Sequence, residues 1–214
     1  MTTPTTPHPH LQERSRATAA RLLDATLELL AETGLEGAVI PAIAARAGVA
    51  PASVYRRFTD KDGLLRAAFM QLLNRSKDAT REQLAPLLLA DTLAATLRNM
   101  VGLLRGQYRQ HPKLVRGLAR YIESDPDSPF AHEARATMRA NLDLLVELML
   151  AAHHDDIAHP APARALQFVA MNASGAIESF ELDPHSPMHL GTPMSAEELE
   201  EHLVRSAVAY LHAR

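Results

Sequence analysis

The segment AVIPAIAARAGVAPASVYRRFTDKDGLLRAAF, residues 38–69, dictates more local structure than any other part of the chain. Ile40-Pro41 predicts a helix start, because proline in a first turn lacks only an N–H that would have had no partner. Ile43, Ala44 and Ala47 then fall on an inward face. Gly48 supplies a left-handed residue that closes the helix, and Val49 fills the corner of a tight turn. Pro51 opens a second short helix in which Val54 and Phe58, four apart, face the core while Ala52, Ser53, Tyr55, Arg56 and Arg57 lie outside. Asp60 caps a third helix that opens at Lys61 and continues through Leu64, Leu65 and Phe69. Two short helices across a fixed turn, the second small at its start and basic on its outer face, suit insertion into the major groove of DNA. There arginine bridges guanine acceptors and hydroxyls reach phosphates.

The order of a first long helix, I-A-x-x-A-G-V, a small-residue helix with V-Y-x-x-F, then D-K-x-x-L-L resembles the TetR (tetracycline-repressor) family over about residues 16–70. Spacing and residue type agree at Ile43, Ala44, Ala47, Gly48, Val49, Tyr55, Phe58, Lys61, Leu64 and Leu65. The resemblance implies DNA contact by Arg16, Arg46, Ala52, Ser53, Tyr55, Arg56, Arg57 and Lys61, with Tyr55 and Lys61 on phosphate. Three departures bear on which sequence is read. Val39 and Ile40 stand where the family has a capping Ser or Thr, Arg57 where it has His or Tyr, and Ala50-Pro51-Ala52 where it has Ser-x-Gly.

The composition of the whole 214-residue chain points to an all-α protein: 47 % is hydrophobic, only 4 % aromatic, and there are nine glycines. Absence of cysteine excludes disulfides, thiol redox sensing and cysteine nucleophiles. A net charge of −3 is unevenly spread, with Arg46, Arg56, Arg57, Lys61 and Arg66 on the motif and an acidic stretch from Glu178 to Glu201. No run approaches the ~20 apolar residues of a membrane span, so a soluble, cytoplasmic protein is expected.

About nine helices are expected: a disordered arm over 1–13, a helix-turn-helix DNA-binding domain over 14–70 and an effector-binding and dimerisation domain over 71–214. Leu22, Leu23, Thr26, Leu29 and Leu30 predict a first helix from about Arg16 to Thr33, stopped by Gly34. The helix opened by Lys61 continues to about Lys77, making it the natural mechanical link between domains. Asp91 is the expected cap of a helix reaching Tyr108, and Asp125-Pro126-Asp127-Ser128-Pro129 is a turn. Ser195-Ala196-Glu197-Glu198 reads as a capping box opening the last helix.

An effector pocket is assigned to Met100, Leu104, Tyr121, Met138, Leu142, Phe168, Met171 and Asn172, since methionine and aromatic side chains suit adaptable apolar cavities and a buried amide needs a partner. The resembled family pairs its last two helices with their copies in a second subunit. That implies a homodimer interface at Leu166, Ala173, Ile177, Leu199, Leu203, Ala207 and Tyr210, spacing two recognition helices along palindromic operator DNA. The function expected is a regulator, a repressor released by a small, largely apolar effector, without enzymatic activity, cofactor or metal. Two alternatives remain: a metal-dependent enzyme using His153–His159 or Glu178 and Glu181, and a DNA-binding protein without effector. The first lacks a recognised ligand spacing, and histidines at a helix C-terminus are favoured by its dipole without any metal. Against the second, far more chain follows the motif than dimerisation requires.

Overall fold

The computed structural model describes residues 9–79, 85–190 and 194–213. Among the described residues are ten α-helices and no strand: α1 (Pro9–Gly37), α2 (Ile40–Arg46), α3 (Pro51–Tyr55), α4 (Lys61–Ala79), α5 (Ala85–Leu88), α6 (Leu93–Gln110), α7 (Pro112–Ser124), α8 (Pro129–His153), α9 (Pro162–Leu182) and α10 (Ala196–Leu211). The helix beyond the nine expected is α5, a single turn.

The sequence places most helix starts chemically. Helices α3, α7, α8 and α9 begin on proline, where the missing N–H and fixed φ cost nothing. Ser128 Oγ accepts from the Ala131 amide at 3.1 Å. Ser195 and Glu198 form the expected reciprocal box, at 3.1 and 2.7 Å. The cap of α6 is Thr92, not Asp91: its hydroxyl accepts from Ala95 N at 3.2 Å, leaving Asp91 exposed one position too early.

Two expectations about α1 are corrected. The arm assigned to 1–13 lies outside the described residues only as far as residue 8, and from Pro9 the chain is helical. Proline is tolerated in that first turn as it is in those of α3, α7, α8 and α9. Gly34 does break the helix, with φ 74° and ψ −169°, but helical turns resume and run to Gly37.

Two hydrophobic cores result. One joins Leu22, Leu30, Ile43, Val54, Leu64 and Phe69 of the first four helices to Leu114, Leu118 and Ile122 of α7 and to Phe130, Ala131 and Ala134 of α8. The other gathers Leu97, Met100 and Val101 of α6, Val146 and Met149 of α8, Leu166, Val169 and Ile177 of α9, and Val204 and Leu211 of α10. Packing therefore does not divide at residue 70, because α7 and the start of α8 complete the N-terminal core. At the seam Phe69, Tyr121 and Phe130 form a ring cluster with centroids 5.3–6.4 Å apart. No helix of the described residues is long and apolar enough to cross a membrane.

Candidate nucleic-acid interface

Helix α3 is held from behind and open in front. Val54 is fully buried, and Phe58 packs against the same core. Gly48, at φ 66°, turns the chain so that Val49 N donates to Ala44 O at 2.9 Å and the corner closes. Ala50 offers α3 no side-chain cap and Val39 offers none to α2; a proline stands in the first turn of each, and Ile43 N and Ser53 N donate to the Val39 and Ala50 carbonyls. Outward stand Ala52, Tyr55, which is 59 % exposed, and Arg56, whose Nη2 donates to Ser53 Oγ at 2.7 Å. This pair pre-orients the guanidinium over the exposed face. Asp60 Oδ1 accepts from Gly63 N at 2.7 Å, the cap expected for α4.

Three of the nominated basic residues have other tasks. Arg46 reaches back to α1, its Nη2 at 2.7 Å from Glu32 Oε2 and its Nη1 at 3.1 Å from Glu28 Oε2, which fixes α2 on its support and leaves no free fork for a base. Lys61, half-buried, donates from Nζ to the Leu35 carbonyl at 3.1 Å rather than standing free for a phosphate. Arg57, also half-buried, binds the carbonyl and hydroxyl of Ser15 at 3.4 Å, tying the end of the recognition segment to the N-terminal turns of α1. Arg16, exposed, is the next residue along that helix. The partners Glu28, Glu32 and Ser15 were missed. Glu28 and Glu32 share a helical face by their spacing, but the arginine they hold lies across a tertiary contact.

The Arg46 guanidinium hydrogen bond holds the Glu32 carboxyl below its ordinary value of 4.5, opposed by desolvation and assisted by a lesser Coulombic attraction to the same guanidinium. A depressed folded-state value means that the pair stabilises the fold above the unfolded value and is lost as pH falls through the folded one. A carbon-13 titration of the Glu32 carboxyl should show a midpoint below 4.5 that returns to the ordinary range in Arg46→Met. Equal midpoints in the two proteins would mean that the ion pair does not form in solution.

The eight effector candidates do not line one cavity. Met100 is buried and Leu104 and Leu142 half-buried in the C-terminal core, whereas Tyr121 belongs to the N-terminal one. Met138, Phe168 and Met171 are 47, 55 and 64 % exposed, and Asn172 is exposed, so it is not a buried amide in need of a partner. Helical spacing gave the periodicity of these stripes but the wrong phase. A groove of about 420 Å³ does open between α4 and α8, lined by Arg66, Ala67, Met70, Pro129, Phe130 and Glu133, none of them among the eight.

The interface assignment has the same error of phase. Leu166, Ala173, Ile177, Leu199 and Ala207 are at most 8 % exposed within one chain, so they fill its own core and have no surface for a second copy to cover. Leu203 is half-buried there, and only Tyr210 reaches the surface, its ring 5.2 Å from Phe168 and 5.0 Å from His159.

The histidine segment has structural partners. Buried His153 bridges Thr96 Oγ1, 2.8 Å from Nε2, and Asp156 Oδ2, 3.1 Å from Nδ1. His159 Nδ1 accepts from Ala161 N at 3.1 Å. Among the described residues no group of three or more His, Asp or Glu is placed to hold a metal. Glu181 is paired with Arg105 at 2.8 Å, and Glu200 holds the same guanidinium at 2.7 Å, fastening α6 to α9 and α10. Glu178 is exposed.

Residues 22–68 match the model described as bacterial regulatory proteins, tetR family, and over that segment the chain is similar to that family. It is 38 % identical over 82 residues to the HTH-type transcriptional regulator BetI of Cronobacter sakazakii, covering 38 % of this chain and 41 % of that one. The BetI of Escherichia coli O139:H28 is 41 % identical over 64 residues, covering 30 % and 33 %. The matched stretch thus spans about two fifths or less of these curated relatives. Similarity of fold extends further. A TetR transcription regulator from Haloarcula marismortui superposes with a TM-score of 0.65 at 20 % identity, over 92 % of this chain and 97 % of that one. A TetR-family regulator from Marinobacter aquaeolei gives 0.60 at 20 % identity, over 95 % and 100 %.

Proposed function

We propose that the protein is a homodimeric transcriptional repressor that binds a palindromic operator in the cytoplasm and is released by a small, largely apolar effector. The observation that carries the reading is the α3 face: Ala52, Ser53, Tyr55 and Arg56 presented outward from a helix fixed by Val54 and by the Gly48 turn. Arg56 reads a base, Tyr55 and the uncapped N-termini of α2 and α3 hold phosphate, and Arg16 lies where α1 meets the backbone.

A dimer is supported by the surface of α9. Arg164, Phe168, Met171, Gly175 and Glu178 repeat at helical spacing, all exposed, with Tyr210 of α10 against Phe168. That stripe, not the buried one, is the face to be covered. Effector binding is supported by the separate C-terminal core. Met100, Leu104 and Leu142 pack in that core, and beside Leu142 the Asn141 side chain donates to the Leu73 carbonyl of α4 while its buried Oδ1 has no partner. A ligand donor reaching that oxygen would bear on α4 directly.

The test is binding of the purified protein to DNA flanking its own coding region, titrated in salt. Arg56→Ala should weaken the selective complex about 10- to 100-fold, the range for losing one bidentate base contact. A loss equal on operator and on random DNA would move Arg56 to the phosphates, and no selective binding by the wild type would overturn the reading.

A further inference from the structure

One turn of α1 receives attachments from three other helices. The Glu32 carboxylate grips Arg46 of α2 through two hydrogen bonds, at 3.0 and 2.7 Å. The Glu32 carbonyl accepts from Lys113 Nζ of α7 at 2.7 Å, across 81 residues of sequence. Three residues on, the Leu35 carbonyl accepts from Lys61 Nζ of α4. These carbonyls flank the Gly34 break, and carbonyls near a helix end lack intrahelical donors and carry the negative end of the dipole, so lysines are favoured there. Helix α7 repeats the device at its other contact. Arg116, one turn beyond Lys113, donates to the carbonyl of Leu182, the last residue of α9. Helix α7 is therefore fastened by one side chain to the end of α9 and by another to the support of the helix-turn-helix.

We propose that Glu32 is a positioning residue through which α7 sets the angle of the helix-turn-helix: a shift of α9 and α7 pulls the Glu32 carbonyl through Lys113, and the Glu32 carboxylate passes it to Arg46 and α2. The element with two arrangements is the Gly34 break, since only glycine takes that backbone without strain and the turns on either side can swing about it. This route runs through α7 and α1 beside the covalent link along α4. Its arrangement stands without the DNA-binding reading, and its regulatory consequence rests on it.

Hydrogen exchange of the full-length free protein tests the relay without DNA. Lys113→Met keeps the aliphatic stem and removes the donor. Exchange of the α2 and turn amides, residues 44–49, should rise about two- to fivefold, the factor a net hydrogen-bond contribution corresponds to. Lys113→Arg should restore it, and amides 166–170 of α9 should not change, which separates relay from general loosening. Unchanged exchange at 44–49 in Lys113→Met overturns the proposal. With operator DNA bound, linkage predicts slowed exchange at residues 183–190 in the wild type and loss of that slowing in Lys113→Met. Slowing that survives the substitution assigns the coupling to α4 and overturns the relay as its route. Failure of the wild type to bind DNA sinks the functional reading instead, and the free-protein result still decides the relay.

Discussion

Replacing Phe69 by alanine is expected to cost about 3–5 kcal/mol, the range for deleting a fully buried phenylalanine, and to lower the thermal midpoint by about 6–20 °C for a chain of this size. Phe69 is completely buried on α4, with the rings of Tyr121 and Phe130 at 5.5 and 6.4 Å. Three helices thus meet on one side chain. The cavity cannot collapse by moving one of them, because α4 is also held by Lys61 to Leu35, and Tyr121 is anchored through its hydroxyl to the Asp62 carbonyl at 3.3 Å. Residual cavity, not transfer alone, places the loss at the upper part of the range. Circular dichroism melts at one fixed protein concentration measure it, since association shifts apparent stability. A loss under about 1 kcal/mol would mean that α7 and α8 do not pack on the DNA-binding helices in solution.

The helix-turn-helix was legible because its determinants are local. Gly48 needs one backbone conformation, Pro51 needs a first turn, and Asp60 needs an amide three residues on; each stands as expected. The capping box at Ser195 was legible for the same reason. What failed was whatever depends on the phase of a helix in three dimensions. On α9 both the stripe through Leu166, Ala173 and Ile177 and the stripe through Phe168 and Met171 are apolar at helical spacing, so periodicity alone cannot say which faces the core. On the first, Ala170 and Ala173 are buried in the second core with Leu166 and Ile177, and small size at those positions permits the close packing that decides it. Charge was misread for a related reason. Arg46, Arg57 and Lys61 count as free cations in the sequence, yet their acceptors lie 14–18, 42 and 26 residues away. Nor was it legible that α7, which lies beyond residue 70, supplies Leu114, Leu118 and Ile122 to the first core, because that contact is tertiary.

The phase of α9 carries the second large effect. Phe168→Asp or Met171→Asp places a charge on a position already 55 or 64 % exposed, so the folded monomer should lose no more than about 0.5 kcal/mol, as at other surface sites. If this stripe is the contact between copies, two such charges, one from each subunit, would face each other across the two-fold axis and lose their water there. Sedimentation should then show a species of half the wild-type mass. Affinity for the two-half-site operator should fall by on the order of 10²–10⁴, because the second half-site is no longer engaged at the high effective concentration that the dimer supplies. Affinity for a single half-site should be unchanged. The contrasting substitution is Leu199→Asp, at one of the positions first assigned to the interface and 3 % exposed: a charge in that core should abolish cooperative unfolding rather than yield a folded monomer. A Phe168→Asp protein that remains dimeric with undiminished operator affinity would place the two-fold axis elsewhere and leave the exposed stripe of α9 without a role in pairing recognition helices.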